Sequence, residues 1–334
     1  MRGGCARCDG ATRDRRQNAA FGSRRLSYSE RTTEDGNNRG GTRSARLTCG
    51  WRGTMHERMK FTLNTLGAPS WTLEDTARNA RAYGYVGVDL RLLDGEVISL
   101  DSVRANRDRL RTLFQDAGLA IAVLATSVRL ASPDQQQRRD TADEIAEWID
   151  LAAELGIPVV RVFGGMRPEG FDLDAAIQVV ADTLAHIAPR AESAGVAVGV
   201  ETHDDFSSAA TVRRVLEPVA SRAVGAVWDM LHTARMGETP SDVLGLIGDR
   251  VLNVHLKDAR RNGDAWELLP LGQGEIPVRD GLRLLKQRGY DDFISVEWEK
   301  KWHPELAEPE VAFPQHLALL QTYVRELEGQ PART

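Results

Sequence analysis

The sequence predicts one α/β domain, a (β/α)8 barrel over residues 59–330. Eight short β-branched runs alternate with amphipathic segments of helical period. The helical segments end repeatedly in a glycine that leads at once into the next apolar run. The last four of these runs each end in one acidic or imidazole side chain, as expected where parallel strands open on a common mouth. The alternation occupies roughly 270 residues, close to the ~250 usual for such a barrel.

In chain order, the first run, 60–66, is followed by a helical segment, Leu73–Ala82, that stops at Tyr83-Gly84. The run 85–91 leads to a helix over Val103–Ala117 and Gly118, and the run 120–126 to a helix over Asp143–Leu155 and Gly156. The run 159–164 leads to Ala175–Ala194 and Gly195, and the runs 197–202, 224–229, 251–256 and 293–298 complete the set, with Arg288-Gly289 before the last. An open doubly wound sheet is the competing α/β solution. It carries a glycine-rich fingerprint after its first strand, and Leu66-Gly67-Ala68-Pro69 is not one.

Residues 1–58 have a different composition. They hold thirteen arginines, no lysine and six acids, a net charge of about +7 in a chain of formal charge −5, so the rest is near −12. Rich in Gly, Ser, Thr and Asn and without apolar periodicity, this segment reads as a disordered extension. All three cysteines (Cys5, Cys8, Cys49) fall in it, and only His56 is near enough to complete a zinc set, so the barrel uses neither disulfides nor thiols. A domain this acidic gives no support for nucleic-acid binding. No apolar stretch reaches the ~18 residues of a membrane span and no signal-peptide core is visible, so a cytoplasmic protein is expected.

Glu201 follows Val196–Val200, Asp229 follows Val224–Trp228, His255 follows Val251–Val254 and Glu297 follows Phe293–Val296. Taken singly, each has a plain explanation: a carboxylate paired with arginine, a turn cap, a satisfied core histidine. Four in barrel order point instead to a shared site. Three carboxylates and an imidazole suit one hard divalent cation, Mn, Mg or Co, and suit Zn less well.

The strings Val200-Glu201-Thr202-His203, Trp228-Asp229-Met230-Leu231-His232, His255-Leu256-Lys257-Asp258 and Ser295-Val296-Glu297-Trp298-Glu299, with Leu271-Gly272-Gln273-Gly274 between the last two, resemble the xylose-isomerase-like sugar phosphate isomerase/epimerase superfamily. The resemblance covers about 60–325. Its motif order is specific to the superfamily but not to one activity, since members include ketose epimerases, isomerases, inosose and dehydroshikimate dehydratases and apurinic endonucleases. It implies a metal held by Glu201, Asp229, His255 and Glu297, with Glu201 and Glu297 as acid and base on a small carbohydrate substrate. Deprotonation next to a carbonyl requires this pairing: a cation to stabilise the enolate and a carboxylate to take the proton. A lyase of inosose or dehydroshikimate type would use the same residues. A three-metal endonuclease site would need more histidines than the barrel supplies.

His232, three residues past Asp229, matches a family histidine that touches a substrate hydroxyl. His203 and Lys257 lie in strand phase with Glu201 and His255, so both are expected near the pocket, Lys257 at its rim. Arg261 matches an arginine that contacts substrate in some epimerases, and Trp298 is a candidate wall for an apolar sugar face. Asp89, Arg91 and Arg161 read as a buried Asp–Arg set tying strands together. Many relatives form homo-oligomers, which the polar helices here would permit.

Overall fold

The structure is a computed structural model that describes residues 59–329; the expectations for residues 1–58 lie outside the described residues. The strands are β1 (Lys60–Asn64), β2 (Gly87–Leu90), the two-residue β3 (Leu92–Leu93) and β4 (Glu96–Val97), β5 (Ala120–Arg129), β6 (Val159–Phe163), β7 (Ala197–Glu201), β8 (Val224–Asp229), β9 (Val251–Leu256), β10 (Asp258–Asn262), β11 (Ala265–Leu269) and β12 (Phe293–Val296). Eight of them close into a parallel barrel in the ring order β1-β2-β5-β6-β7-β8-β9-β12. The eight predicted runs are those eight strands.

Strand alternation sorts the side chains. Val198 and Val200, Ala226 and Trp228, Val254 and Leu256, and Ile294 and Val296 join the main apolar core with residues of the helices, such as Leu184, Val212, Leu244, Leu282 and Leu317. The alternate set, Glu201, Asp229, His255 and Ser295, therefore turns to the barrel interior. A second, smaller apolar cluster of Ala122, Val123, Ala125 and Val159, with Ala197, Leu252 and Phe293 against it, is built mainly from the first halves of the strands. The strand ends are left to polar groups.

The helices are α1 (Leu73–Tyr83), α2 (Leu100–Ala105), α3 (Arg107–Ala117), α4 (Gln135–Leu155), α5 (Leu173–Ala194), α6 (Ala209–Leu216), α7 (Met230–Arg235), α8 (Pro240–Ile247), α9 (Val278–Gln287) and α10 (Pro309–Glu328). Gly84, Gly118, Gly156 and Gly195 cap α1, α3, α4 and α5 in the left-handed conformation, as their positions predict. The helix expected over 103–117 is two helices joined at Asn106, whose φ of −107° and ψ of 10° are not helical. Helix α4 starts eight residues before the expected Asp143, because its first turns (Gln135, Gln136, Gln137, Arg138, Arg139) carry no apolar signal and are set by the Asp134 cap. Hairpin β10–β11 was not expected. Half of its ten strand residues are exposed, Arg260, Arg261 and Glu267 among them, and its glycine-first turn at Gly263 (φ 62°) is the only strong local cue.

No helix among the described residues is long and apolar enough to cross a membrane.

His316, on α10, is 2% exposed with its ring 5.1 Å from that of Trp298, and neither ring nitrogen has a hydrogen-bond partner. Burial holds its pKa down, at about 4. The folded state thus favours the neutral ring, so the unfolded chain takes up this proton first as pH falls. Stability present above the unfolded value of ~6.5 is lost as pH falls through the window down to about 4, by at most about 3 kcal/mol. Urea titrations at pH 7 and pH 4.5 should show a loss that is smaller in His316→Leu; an equal loss in both proteins would contradict this account.

Candidate metal centre

Glu201, Asp229, His255 and Glu297 each present one ligand atom, and the four atoms lie within 4.8 Å of one another. All four residues are buried, none more than 6% exposed. Glu201 and Asp229 are the last residues of β7 and β8, His255 is the penultimate residue of β9 and Glu297 directly follows β12. The β8–β9 register sets Asp229 beside His255, and the β12–β9 register sets His255 beside Ser295, two residues before Glu297.

Each of the four side chains is oriented by neighbouring groups. Asp229 caps α7: its Oδ1 accepts the His232 backbone N–H at 3.0 Å, while Oδ2 faces Lys257 Nζ at 2.9 Å in an ion pair. The cap reading and the ligand reading of Asp229 therefore hold together. Glu297 Oε1 accepts from Asn64 Nδ2 at 3.0 Å and Oε2 from Lys257 Nζ at 2.7 Å. Glu201 Oε2 lies 3.2 Å from Arg161 Nη1. His255 Nδ1 is 3.4 Å from Glu201 Oε1 and 3.5 Å from Glu297 Oε1, too poorly aligned for hydrogen bonds. Its Nε2 lies 3.4 Å from Asp89 Oδ2, and Asp89 Oδ1 is engaged by Thr62 Oγ1 at 2.9 Å. A carboxylate behind an imidazole is the usual support of a metal-ligating histidine. The expected Asp–Arg set is thus not formed: Asp89 serves His255, Arg161 serves Glu201, and Arg91 bonds Ala125 O and Ser127 Oγ.

The electrostatics agree with a cation site. Burial alone would raise the carboxyls, but Arg161 and His255 hold Glu201 well below the usual range, and Lys257 and His255 do the same for Glu297. Burial prevails at Asp229, which is raised against the pull of Lys257. Lys257 is not at the rim. It is 2% exposed, with Nζ 2.9 Å from Asp229 Oδ2 and further contacts to Glu297 and Glu299, and these three acids raise it well above the ordinary lysine range against the effect of burial. Buried carboxylates this close, with Glu201 Oε2 and both His255 nitrogens lacking hydrogen bonds and Asp229 Oδ2 met only by the Lys257 ion pair, are what a hard divalent cation would satisfy.

Beside the cluster, Phe163, His203 and His232 form an aromatic run, with ring centroids 4.8 Å and then 4.3 Å apart. Burial, with Lys257 and His203, holds His232 well below the usual histidine range, and its Nε2 has no partner. Asp204 and Glu201 raise His203 against burial. Two predicted residues are not brought to the cluster. Arg261 is exposed on β10, with Nε bonded to Gly263 O. Trp298 is 2% exposed and donates to Ala307 O, because one residue past Glu297 alternation turns it towards the helix layer. Asp258 folds the following loop: its carboxylate accepts the backbone N–H groups of Ala259, Gly272, Gly274 and Ile276. Two surface clefts of about 460 and 470 Å³, one at Gly272 and Arg279 and one between Ser99 and Trp148, lie away from the four ligands.

An eight-stranded barrel whose strand C-termini gather three carboxylates and an imidazole defines a metal-site α/β barrel. The chain belongs to the Xylose isomerase-like TIM barrel family, whose model matches residues 77–323. An uncharacterised protein of Methanocaldococcus jannaschii, MJ1311, is 30% identical over 176 residues, 50% of this chain and 59% of the relative. YihM of Escherichia coli K12, also uncharacterised, is 26% identical over 62% of this chain and 60% of the relative, so the chain spans about three-fifths of each of these two proteins. The fructoselysine 3-epimerase of Shigella flexneri is 21% identical over 72% of this chain and 90% of that enzyme. Among solved structures, an IOLI protein with a bound zinc atom superposes with a TM-score of 0.71 at 19% identity, covering 81% of this chain and all of that one. An L-ribulose 3-epimerase gives 0.66 at 17%, covering 83% and 100%. These two likenesses show the fold.

Proposed function

We propose that the protein is a divalent-metal-dependent isomerase or epimerase of a small sugar, ketose or keto-polyol, with residues 59–330 as its catalytic unit. Glu201, Asp229, His255 and Glu297 would hold the cation, with manganese, magnesium or cobalt favoured by the three-oxygen set. The observation that carries this reading is the placement of Glu201 and Glu297. Both are buried, both approach His255 Nδ1, and each has its own cation, Arg161 for one and Lys257 for the other.

When bound, the cation supplies Lewis-acid stabilisation of the charge that develops on the substrate carbonyl oxygen. The chain does the rest. The two glutamates, kept ionised by separate cations, can take a proton from a carbon next to the carbonyl and return one to it. Neutral His232, whose Nε2 lacks a hydrogen-bond partner, would bond a substrate hydroxyl, with His203 and Phe163 in the same aromatic run.

The test is solvent exchange. Manganese-loaded protein is incubated in deuterium oxide with a panel of ketoses and inososes, and deuterium at the carbon next to the carbonyl is followed by NMR. The reading requires exchange with a new stereoisomer or carbonyl position; exchange that ends in loss of water would assign a dehydratase to the same residues. No exchange on any ketose would contradict it.

A further inference from the structure

The four ligands occupy one arc of the barrel mouth, and the other arc carries arginines. Arg91 follows β2, Arg129 ends β5 and Arg161 lies within β6. The β5–β6 register pairs Ala125 with Arg161 and Arg129 with Phe163. Arg91 Nη1 donates to Ala125 O at 3.1 Å and to Ser127 Oγ at 2.7 Å, which brings its guanidinium to the same rung as Arg161. The Arg161 guanidinium lies 4.0 Å from the centre of the Phe163 ring, and that of Arg129 lies 5.8 Å from it.

Arg161 is 2% exposed, yet its Nε and Nη1 have no hydrogen-bond partner, although Nη1 reaches to 3.2 Å from Glu201 Oε2. A buried guanidinium with unmet donors is rare in a finished site. Among the described residues neither Arg91 nor Arg129 is ion-paired with a carboxylate. Burial and the neighbouring Arg161 lower Arg91 to about 10, against the pull of Glu201 and Glu297.

We propose that Arg91, Arg129 and Arg161 form a subsite for a carboxylate on the substrate, so that the ketose or keto-polyol of the preceding reading, on which this rests, is a keto acid or sugar acid. The planar fork of arginine matches a carboxylate in two-point contact. Phosphate is disfavoured by the opposite side of the mouth. Barrel phosphate sites draw on the backbone amides of late loops, and here the Gly272 and Gly274 amides are already given to Asp258 Oδ2 at 2.8 and 3.0 Å.

The experiment is calorimetric binding to the full-length protein, manganese-loaded and EDTA-treated, with two pairs of probes that differ in one carboxylate: hydroxypyruvate against dihydroxyacetone, and tagaturonate against D-tagatose. D-Tagatose 6-phosphate serves as the phosphate arm. In at least one pair the acid should bind ten times or more tighter than the neutral partner, and this advantage should persist after EDTA treatment, since arginines and not the cation hold it. Arg129→Gln, at an exposed position, should erase most of the advantage and leave the neutral probe unchanged; Arg91→Gln is the second variant. Equal binding within both pairs would overturn the proposal. So would an advantage lost with the metal, one that survives in both variants, or a stronger preference for the phosphate. Failure of the proton-transfer reading is separate: it would abolish deuterium exchange without altering these binding ratios, whereas a flat ratio leaves exchange on neutral ketoses intact.

Discussion

Glu201→Gln and Glu297→Gln should each lower interconversion of the substrate isomers by about 10²–10⁴-fold at saturating manganese, the range that a positioned acid or base contributes. Glutamine keeps the shape and removes the charge, so the barrel should fold in both variants. The surroundings of Glu297 make its substitution the more disruptive. Its two oxygens accept from Asn64 Nδ2 and Lys257 Nζ, and a glutamine amide can answer only one of these donors with oxygen. Cation affinity should therefore fall together with rate, and exchange must be read at manganese concentrations that saturate each variant. An epimerase needs one carboxylate for each face of the substrate. Each variant should then keep exchange on the epimer whose proton faces the surviving glutamate and lose it on the other. Full turnover in either variant would remove that residue from the chemistry.

Lys257→Met should destabilise the EDTA-treated protein by about 3–5 kcal/mol, the cost of removing one partner from a buried ion pair. For a domain of this size that corresponds to a fall in melting temperature of roughly 10 °C. The ammonium is 2% exposed and lies 2.9 Å from Asp229 Oδ2 and 2.7 Å from Glu297 Oε2, with Glu299 as its third acid. Without it these carboxylates face one another at low solvent exposure. A dication restores the missing charge, so manganese should raise the melting temperature of the variant more than that of the parent protein. A variant that melts like the parent without metal would show that Lys257 does not balance the ligand set.

The barrel was legible because each strand is short, β-branched and introduced by a helix-ending glycine, all local signals. The buried cluster was legible for a related reason: Glu201, Asp229, His255 and Glu297 each interrupt an apolar strand at its end. Partnerships across strands were not legible. That Asp89 faces His255 and not an arginine follows from its place in β2 across the barrel from β9, which no local pattern encodes. Lys257 was expected at the rim because strand phase fixes the face a side chain points to but not its depth, and here Asp229, Glu297 and Glu299 draw it inward. The position of Trp298 was readable. Alternation from Glu297 already directs it to the helices, whatever its aromatic character. The exposed hairpin β10–β11 lacks the apolar alternation that marks a strand, and Arg261 went with it.

If four side chains from four strands grip one divalent cation, the anomalous scattering map of a manganese-soaked crystal should show one strong peak per chain. That peak should lie about 2 Å from an oxygen of each of Glu201, Asp229 and Glu297 and from Nδ1 of His255. A map with no peak between these side chains, or with manganese bound elsewhere while Lys257 still bridges Asp229 and Glu297, would contradict a shared cation site.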